Sequence, residues 1–245
     1  MARRRFFVEA VGDGRATLEG EAAMHLRKVL RAEPGQRFEL SDNRSVYLAE
    51  IEGFRKGAVS FRVLERIESE EPPVRLTLLA SLVKFDRFEW MVEKATELGV
   101  ETIIPVMAER SEKGLDRAAA KRLDRWRRIA VESSQQARRA RLPEIGPCVA
   151  FLEALTVEGR RRYLLDEEPG APPLMSALQD GDRKSPSDVV CLLAGPEGGW
   201  TGEERQAALA AQWAQVSLGP LILRAETAAV AALAVVNGVW LASRK

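Results

Sequence analysis

Two short segments near the C-terminus carry residue types that could build a ligand site: Gly195-Pro-Glu-Gly-Gly199 and residues 217–228. In each of them an apolar run ends in glycine and a few charged groups. Glycine lets backbone N–H and C=O groups approach a ligand closely. The spacing of the first segment matches neither a P-loop nor a dinucleotide-binding fingerprint, so phosphate binding is not indicated. Taken alone, the segment fits an ordinary strand-to-helix turn as well as it fits a ligand loop.

The second segment contains two charged residues, Arg224 and Glu226, in an otherwise apolar stretch. Ionised groups in such surroundings need partners. An ion pair of Arg224 with Glu226 or Glu197 would provide them, and so would capping of the last helix by Glu226. These structural roles are compatible with a functional one, so both residues remain candidates for chemistry.

The elements around these segments predict an α/β domain. Apolar strands are predicted at 74–83, 100–107, 162–165, 189–194 and 215–218, and helices at 86–98, 117–139, from Thr201 onward and at 226–243. Strands that alternate with helices imply a largely parallel sheet covered on both faces. Ligands bind beyond the carboxyl ends of strands in such sheets, where both segments lie.

The N-terminal part reads differently. Residues 4–68 alternate apolar and polar positions over several short strands, with one helix predicted at 21–30, which indicates a small barrel or sandwich. Residues 69–73 end in two prolines and predict a linker. We therefore expect domains at 1–70 and 74–245.

The composition argues against several classes of protein and of site. The chain has 245 residues and a net charge of +1, so a uniformly basic coat is excluded. One histidine and two distant cysteines, Cys148 and Cys191, make a metal site unexpected and favour a reduced, cytoplasmic protein. The N-terminus lacks a signal-peptide pattern, and Asn237 interrupts the longest apolar stretch, 228–242, so we expect no membrane segment.

The positive charge is concentrated between residues 117 and 141, a segment that contains nine basic and two acidic residues. A helical wheel places Leu123, Trp126 and Ala130 on one face, and the cations opposite. A solvated basic face would explain this pattern, but contact with nucleic-acid phosphates is favoured. The candidate cations here are Arg125, Arg128 and Arg139, and a second candidate patch near the N-terminus consists of Arg3, Arg4, Arg5, His25, Arg27 and Arg31.

The two C-terminal segments together resemble those of the ribosomal small-subunit RNA (uracil-N3)-methyltransferase family, part of the SPOUT superfamily. The resemblance extends along the chain through Met24-His-Leu-Arg-Lys-Val-Leu-Arg31, Lys84-Phe-Asp-Arg-Phe-Glu89, Glu93-Lys-Ala-Thr-Glu-Leu-Gly-Val100, Glu109-Arg-Ser111 and Glu132-Ser-Ser-Gln-Gln-Ala-Arg-Arg139. This chain departs from the family at Trp200, where an apolar residue such as Phe is expected, and at Leu221, where Arg is frequent.

The resemblance implies a C-terminal domain with a trefoil knot, an N-terminal PUA-like RNA-binding barrel and a homodimer. It also implies that S-adenosylmethionine is the cofactor and that small-subunit ribosomal RNA, or the assembled small ribosomal subunit, is the substrate. The residues expected around the cofactor are Leu193, Gly195, Glu197, Gly198, Leu218, Gly219, Leu223, Arg224 and Thr227.

Methylation at uracil N3 requires alignment of the methyl group, loss of the N3 proton and stabilisation of the negative charge that develops on O2 or O4. We expect Arg224 to stabilise that charge, with Arg139 as a weaker candidate. Glu226 and Glu197 are candidate bases, Glu132 is more remote, and water could also accept the proton. His25 fits an RNA contact or a packed structural role better than catalysis.

Two alternatives remain at this point. One is a SPOUT enzyme that methylates ribose 2′-OH or another RNA such as transfer RNA, against which the N-terminal domain and the Leu-Arg-Ala-Glu-Thr-Ala sequence argue. The other is an RNA-binding protein of ribosome assembly without catalysis, against which the intact segments 195–199 and 224–228 argue. A Rossmann-type methyltransferase is disfavoured because its glycine-rich first loop is missing.

Overall fold

A computed structural model describes residues 4–179 and 184–243. The chain divides into two compact units. The first consists of Met1–Glu71 with Val131–Leu142, and the second of Pro72–Ala130 with Pro143–Lys245. Arg3 of the predicted N-terminal patch lies outside the described residues.

The first unit is built on one mixed sheet. Its strands are β1 (Arg5–Phe7), β2 (Val11–Gly12), β3 (Arg15–Glu19), β4 (Arg37–Ser41), β5 (Val46–Arg55) and β6 (Ala58–Ile67), in the order β1-β4-β5-β6-β3-β2. Only the β1–β4 pair is parallel among the pairs of this described sheet. The alternating apolar side chains form a separate core around Phe6, Leu26, Leu40, Ile51 and Phe61.

The predicted helix at 21–30 is present, but it changes type. A short α-helix, α1 (Gly20–Met24), continues as a π-helical turn over His25–Val29. Arg31 then adopts a left-handed conformation with a φ of 50° and ends the turn. Strands β2 and β3 form an antiparallel hairpin, whose turn contains Asp13 and Gly14 with φ values of 49° and 70°.

A buried ionic cluster fixes residues 131–142 within this unit. Arg5 and Glu39 are each 5% exposed and lie 2.9 Å apart at Nη2 and Oε2. Arg138 donates a hydrogen bond to the other oxygen of Glu39, and Arg5 donates one to the carbonyl of Arg138. The backbone amide of Leu142 donates to Asn43 Oδ1 at 2.6 Å. One carboxylate therefore serves two guanidinium groups from distant parts of the sequence.

The second unit is a parallel sheet. Its strands are β7 (Arg75–Ser81), β8 (Thr102–Met107), β9 (Glu144–Ile145), β10 (Val149–Ala150), β11 (Arg161–Leu165), β12 (Val189–Ala194) and β13 (Ala214–Val216). They run in the order β10-β8-β7-β12-β11-β13, with β9 also paired to β8, and every pair is parallel in the described sheet. The α/β prediction is thus confirmed.

Helices cover both faces of this sheet. They are α2 (Phe85–Glu97), α3 (Leu115–Gln136), α4 (Phe151–Ala154), α5 (Leu174–Gln179), α6 (Gly202–Ala210) and α7 (Ala225–Ala242). Leu192 of β12 joins the core with α2 and α7, whereas Leu193 points to the opposite core with Trp200 and Trp213. The trefoil knot implied by the resemblance stays a prediction.

Local chemistry defines the ends of several helices. Gly99 closes α2 with a φ of 84°, and its amide donates to Thr96 O at 3.0 Å. Thr201 and Glu204 form a capping box at the start of α6. Helix α3 ends at Gln136 rather than at 139, because Arg138 adopts a φ of 54°, which a continuing helix does not allow.

The last helix has two different sides. Ala229, Leu233, Val236 and Trp240 are buried in the core of the second unit. The opposite side is open, with Leu241 57% exposed. Among the described residues, α7 is the one helix long and apolar enough to cross a bilayer by length and composition, although 39% of it is buried in this fold.

Both cysteines are free thiols in apolar surroundings. Burial raises the pKa of Cys191 and that of Cys148 to about 11. Both thiols are therefore protonated at neutral pH, which suits packing rather than chemistry.

Substitution of Glu39 tests the ionic cluster of the first unit. Glu39→Gln keeps the size of the side chain but leaves the buried Arg5 without its counter-charge, so we expect a loss of about 3–5 kcal/mol in unfolding free energy. Urea unfolding followed by circular dichroism measures it. The matched control is Glu50→Gln, which breaks surface pairs to Arg37 and Arg62 and should leave the midpoint unchanged. Equal midpoints for the two variants would contradict the assignment.

Candidate functional site

The loops that follow three neighbouring strands enclose one pocket in the second unit. Strand β11 lies between β12 and β13, and all three end at the same edge of the sheet because they are parallel and in register. The pocket is open to solvent and measures about 610 Å³ with the open space at its mouth included. Its lining residues are Leu165, Asp166, Glu167, Gly195, Pro196, Glu197, Gly199, Trp200, Ser217, Leu218, Gly219, Leu221, Leu223, Ala225 and Ala228.

The loop that follows β12, residues 195–200, is called the first loop, and Trp200 fixes it from inside. Its indole is 1% exposed, and Nε1 donates a hydrogen bond of 2.9 Å to the carbonyl of Leu165, the last residue of β11. A Cβ atom on Gly195 would lie 3.1 Å from this indole, so a side chain there would displace it. The glycine after β12 therefore allows the indole to join two strand ends.

The same loop is held from outside by two arginines. Arg87 Nη1 lies 2.7 Å from Glu197 Oε1, and Arg110 Nη1 donates to the carbonyl of Gly198 at 2.8 Å. Glu204, which caps α6, also accepts a hydrogen bond of 2.9 Å from the amide of Glu109. The loop is thus anchored to α2 and to the segment after β8, so its backbone groups are fixed in position.

Three acidic residues follow β11 directly, and the first two line the pocket. Asp166 is buried and accepts hydrogen bonds from Arg205 at 2.7 and 3.1 Å and from Gln215 at 2.9 Å. The hydrogen bond with Asp166 raises the pKa of Arg205, so this guanidinium stays charged. Glu167 is exposed at the pocket wall, and its Oε1 lies 2.8 Å from the position of a Cβ on Gly199.

The loop that follows β13, called the third loop, begins at Ser217 and takes its shape from Ser217 and Gly219. The amide of Gly219 donates to Ser217 Oγ at 3.1 Å, and that hydroxyl donates to the carbonyl of Gly219 at 3.1 Å. Gly219 has a φ of 132°, a conformation that only glycine adopts readily. After it, Leu221 and Ile222 are 78% and 81% exposed, which is unusual for such large apolar side chains.

Arg224 and Glu226 flank the pocket-lining residue Ala225 in the sequence, although neither of them lines the pocket itself. Arg224 precedes α7 between the lining residues Leu223 and Ala225, and it is exposed. In the described part of the chain no ion pair of Arg224 is found. Glu197 pairs with Arg87 instead, so the proposed pair of Arg224 with Glu197 is wrong. Glu226 is 8% exposed, and its Oε2 has no hydrogen-bond partner among the described residues.

The structure brings together five of the predicted pocket residues as lining: Gly195, Glu197, Leu218, Gly219 and Leu223. The others do not line it. Leu193 is buried inside β12, Gly198 packs against Arg110, and Arg224 and Thr227 lie exposed at the start of α7. The sequence reasoning missed the acids after β11, although their position at a strand end was a usable signal.

The predicted cations have different environments. Arg4 lies 3.4 Å from His25, and both are exposed, as are Arg27 and Arg31. The Arg27 guanidinium lies 5.9 Å from the centre of the Phe54 ring. These contacts belong to the first unit.

On α3 the cations have two kinds of role. Arg125 Nε donates to Glu89 Oε1 at 2.7 Å, so this residue links α3 to α2. Arg128 is exposed, and Arg139 belongs to the segment held by the first unit. The predicted buried face is confirmed, since Trp126 and Ala130 are 1% and 2% exposed.

Comparison with known proteins gives consistent matches. A family described as "RNA methyltransferase domain" matches residues 70–237, and one described as "RNA methyltransferase PUA domain" matches residues 18–64. The chain is 32% identical to ribosomal RNA small subunit methyltransferase E of Synechocystis sp., over 94% of this chain and 75% of the relative. It is 30% identical to the protein of that name from Bacillus subtilis, over 90% and 89%.

A solved structure of a protein with the same name as these relatives is also similar to this chain. The crystal structure of a ribosomal RNA small subunit methyltransferase E from Neisseria gonorrhoeae bound to S-adenosyl methionine superposes with a TM-score of 0.86. That chain is 30% identical, and the match covers 98% of both chains.

Replacement of Trp200 tests the link between the first loop and β11. Trp200→Phe keeps an aromatic ring but removes the donor to Leu165, so we expect a loss of about 1–3 kcal/mol in unfolding free energy. It should also speed hydrogen exchange at Gly199, whose amide donates to Pro196 O at 3.0 Å.

The chain offers a matched control for this variant. Trp213 is equally buried, and its Nε1 donates to Leu155 O at 3.1 Å, away from the pocket. Trp213→Phe should cost similar stability and leave exchange at Gly199 unchanged. Equal acceleration in both variants would show that Trp200 has no special role in the loop.

Proposed function

This chain belongs to the ribosomal RNA small subunit methyltransferase E family, and from that membership we propose that it methylates N3 of a uracil in small-subunit ribosomal RNA with S-adenosylmethionine as cofactor. The observation that supports this most directly is the pocket formed by three strand-end loops, with the exposed cation Arg224 next to the lining residues Leu223 and Ala225.

The pocket residues fit the proposed cofactor. Leu218, Leu223, Ala225 and Ala228 offer apolar walls for an adenine, and the backbone at Gly219 is open to close approach. Three acidic residues line the pocket, which suits a cofactor with a sulfonium and an ammonium group. When bound, the cofactor supplies an electrophilic methyl group. We propose the whole set expected from the sequence as its surroundings, with Leu193, Gly198 and Thr227 supporting the loops and Arg224 next to the lining residues Leu223 and Ala225.

We assign charge stabilisation to Arg224. The uracil becomes negative on O2 or O4 as its N3 proton leaves, and a guanidinium can donate hydrogen bonds to either oxygen. Because no acidic partner occupies Arg224 within the described chain, its donors remain available. Arg87 and Arg110, in contrast, are engaged with the first loop.

We assign proton removal to Glu226. One oxygen of this buried carboxylate has no partner among the described residues, whereas Glu197 is paired with Arg87. A carboxylate with a free oxygen can accept a proton, whereas one held by a guanidinium is a weaker base. Methyl transfer to nitrogen needs no metal ion, and the proposal includes none.

The RNA contacts are assigned to two sets of cations. Arg4, His25, Arg27 and Arg31 of the first unit are exposed. The second set is Arg128 with Arg125 and Arg139, of which Arg125 also serves Glu89. Neutralisation of phosphates supplies much of RNA affinity, so these cations support binding to small-subunit ribosomal RNA or to the assembled subunit. We propose the domain division at 1–70 and 74–245 and a cytoplasmic site of action.

The open side of α7 supports a homodimer. Leu241 is 57% exposed there, and the apolar tip Leu221-Ile222 adds further exposed surface near the pocket. Exposed apolar surface of this kind marks interaction sites. Light scattering during size-exclusion chromatography should give twice the mass of the chain, and Leu241→Glu should shift it toward the monomer.

The decisive experiment is methylation of undermethylated small ribosomal subunits with labelled cofactor, followed by mapping of the modified base. We expect one uridine to become methylated at N3. Label on a ribose 2′-OH, or on no nucleotide, would contradict the proposal. Naked small-subunit RNA in a parallel reaction separates the two candidate substrates.

Arg224 provides a test next to the pocket. Arg224→Ala should lower the single-turnover rate about 10²–10³-fold, the usual effect of removing a donor that stabilises developing charge. Its thermal midpoint should change little because the side chain is exposed. Arg224→Lys retains the charge and should recover part of the rate. An unchanged rate in the alanine variant would remove Arg224 from the mechanism.

A further inference from the structure

We propose that Glu167 binds the two ribose hydroxyls of the cofactor and so selects a ribonucleoside over its 2′-deoxy counterpart. The inference rests on the proposed function, because it concerns the same pocket and the same cofactor. Glu167 was not among the residues that the sequence indicated.

Glu167 is the pocket acid whose oxygens are engaged in neither an ion pair nor a hydrogen bond among the described residues, although it feels the charge of Arg205. Asp166 is held by Arg205 and Gln215, and Glu197 is held by Arg87. Within residues 4–179 and 184–243, Glu167 has neither an ion pair nor a hydrogen bond. Its carboxylate therefore keeps its full capacity to accept hydrogen bonds from a ligand.

The fold fixes the position of Glu167 well. It is the second residue after β11, the central strand of the three whose loops enclose the pocket. Its neighbour Asp166 is immobilised, so the backbone that carries Glu167 is fixed at the pocket wall. Its Oε1 lies over Gly199, where a Cβ would approach to 2.8 Å. Gly199 thus leaves room for the carboxylate against the first loop.

The chemistry favours a diol as the partner. A carboxylate has two acceptor oxygens, which match the two O–H donors of adjacent ribose hydroxyls. Such charge-assisted hydrogen bonds are shorter and stronger than neutral ones. An acidic residue near a strand end at the ligand crevice plays this part in other parallel sheets. An ion pair with the ammonium group is less favoured, because the exposed position of Glu167 would screen it.

Titration calorimetry with three ligands tests the assignment without any turnover. The ligands are S-adenosylhomocysteine, 5′-methylthioadenosine, which lacks the amino-acid part, and the 2′-deoxy form of S-adenosylhomocysteine. Glu167→Gln should weaken the first two about tenfold or more, since a charged acceptor becomes neutral. The 2′-deoxy ligand should bind wild type more weakly and lose much less affinity in the variant.

The adjacent residue supplies the control. Glu168 is 54% exposed, lies 3.3 Å from Arg205 and does not line the pocket. Glu168→Gln removes the same charge one position along the chain and should leave all three affinities unchanged. Thermal midpoints of both variants confirm that they fold.

The possible outcomes are distinct. Loss of affinity for S-adenosylhomocysteine alone would assign Glu167 to the ammonium group and overturn the diol contact. Equal loss for the 2′-deoxy ligand, or no loss for any ligand, would overturn it as well. Failure of wild type to bind any of the three ligands would contradict the proposed cofactor itself. If wild type binds them and Glu167→Gln has the same affinities, only the role of Glu167 is contradicted and the proposed cofactor stands.

Discussion

The parallel pairing of β11 with both β12 and β13 is the constraint on which the pocket depends. Three adjacent strands that run in one direction must end at the same edge of the sheet, so strand direction alone brings their loops together. Leu164 pairs with Leu193 and Leu165 with Val216, which brings the ends of the three strands level with one another. The bond from Trp200 to Leu165 then holds the first loop to the central strand.

The charges near the pocket divide into those that hold the loops and those that remain available. Arg87, Arg110 and Arg205 are each engaged with a carboxylate or a backbone carbonyl. Such contacts fix the loops before a ligand arrives, so binding need not order them, which lowers its entropic cost. Arg224 and Glu167 stay exposed and are the groups that a ligand can use. A rigid loop framework with few free charges suits recognition through backbone groups.

Much of this arrangement could be predicted from the sequence, because it depends on local patterns. Strand β12 was predicted at its observed bounds, and the start of α6 after Thr201 was predicted as well. The strands β9 and β10 were missed, since two residues carry no periodicity. The helices α4 and α5, of four and six residues, are also too short to show a reliable pattern.

Contacts between distant residues could not be predicted. Arg87 and Glu197 are 110 positions apart, and Arg5 and Arg138 are 133 apart. A single sequence contains each charge but not its partner, and this is why Glu197 could be given only as one of two alternative partners of Arg224, whereas the structure pairs it with Arg87. The π-helical turn at His25–Val29 likewise depends on tertiary packing of Leu26, which is fully buried.

The two departures from the family pattern have different physical consequences. Trp200 can donate a hydrogen bond that a phenylalanine cannot, so this substitution adds a link between two strand ends. Leu221 stands where the resemblance led us to expect arginine, and it is 78% exposed and contributes no polar contact. The third loop does not need one, because Ser217 and Gly219 define its turn through their own hydrogen bonds. An apolar side chain at that tip instead enlarges the exposed surface that would be buried in the proposed dimer. Because position 221 holds leucine, Arg224 is the exposed guanidinium of the segment 217–228.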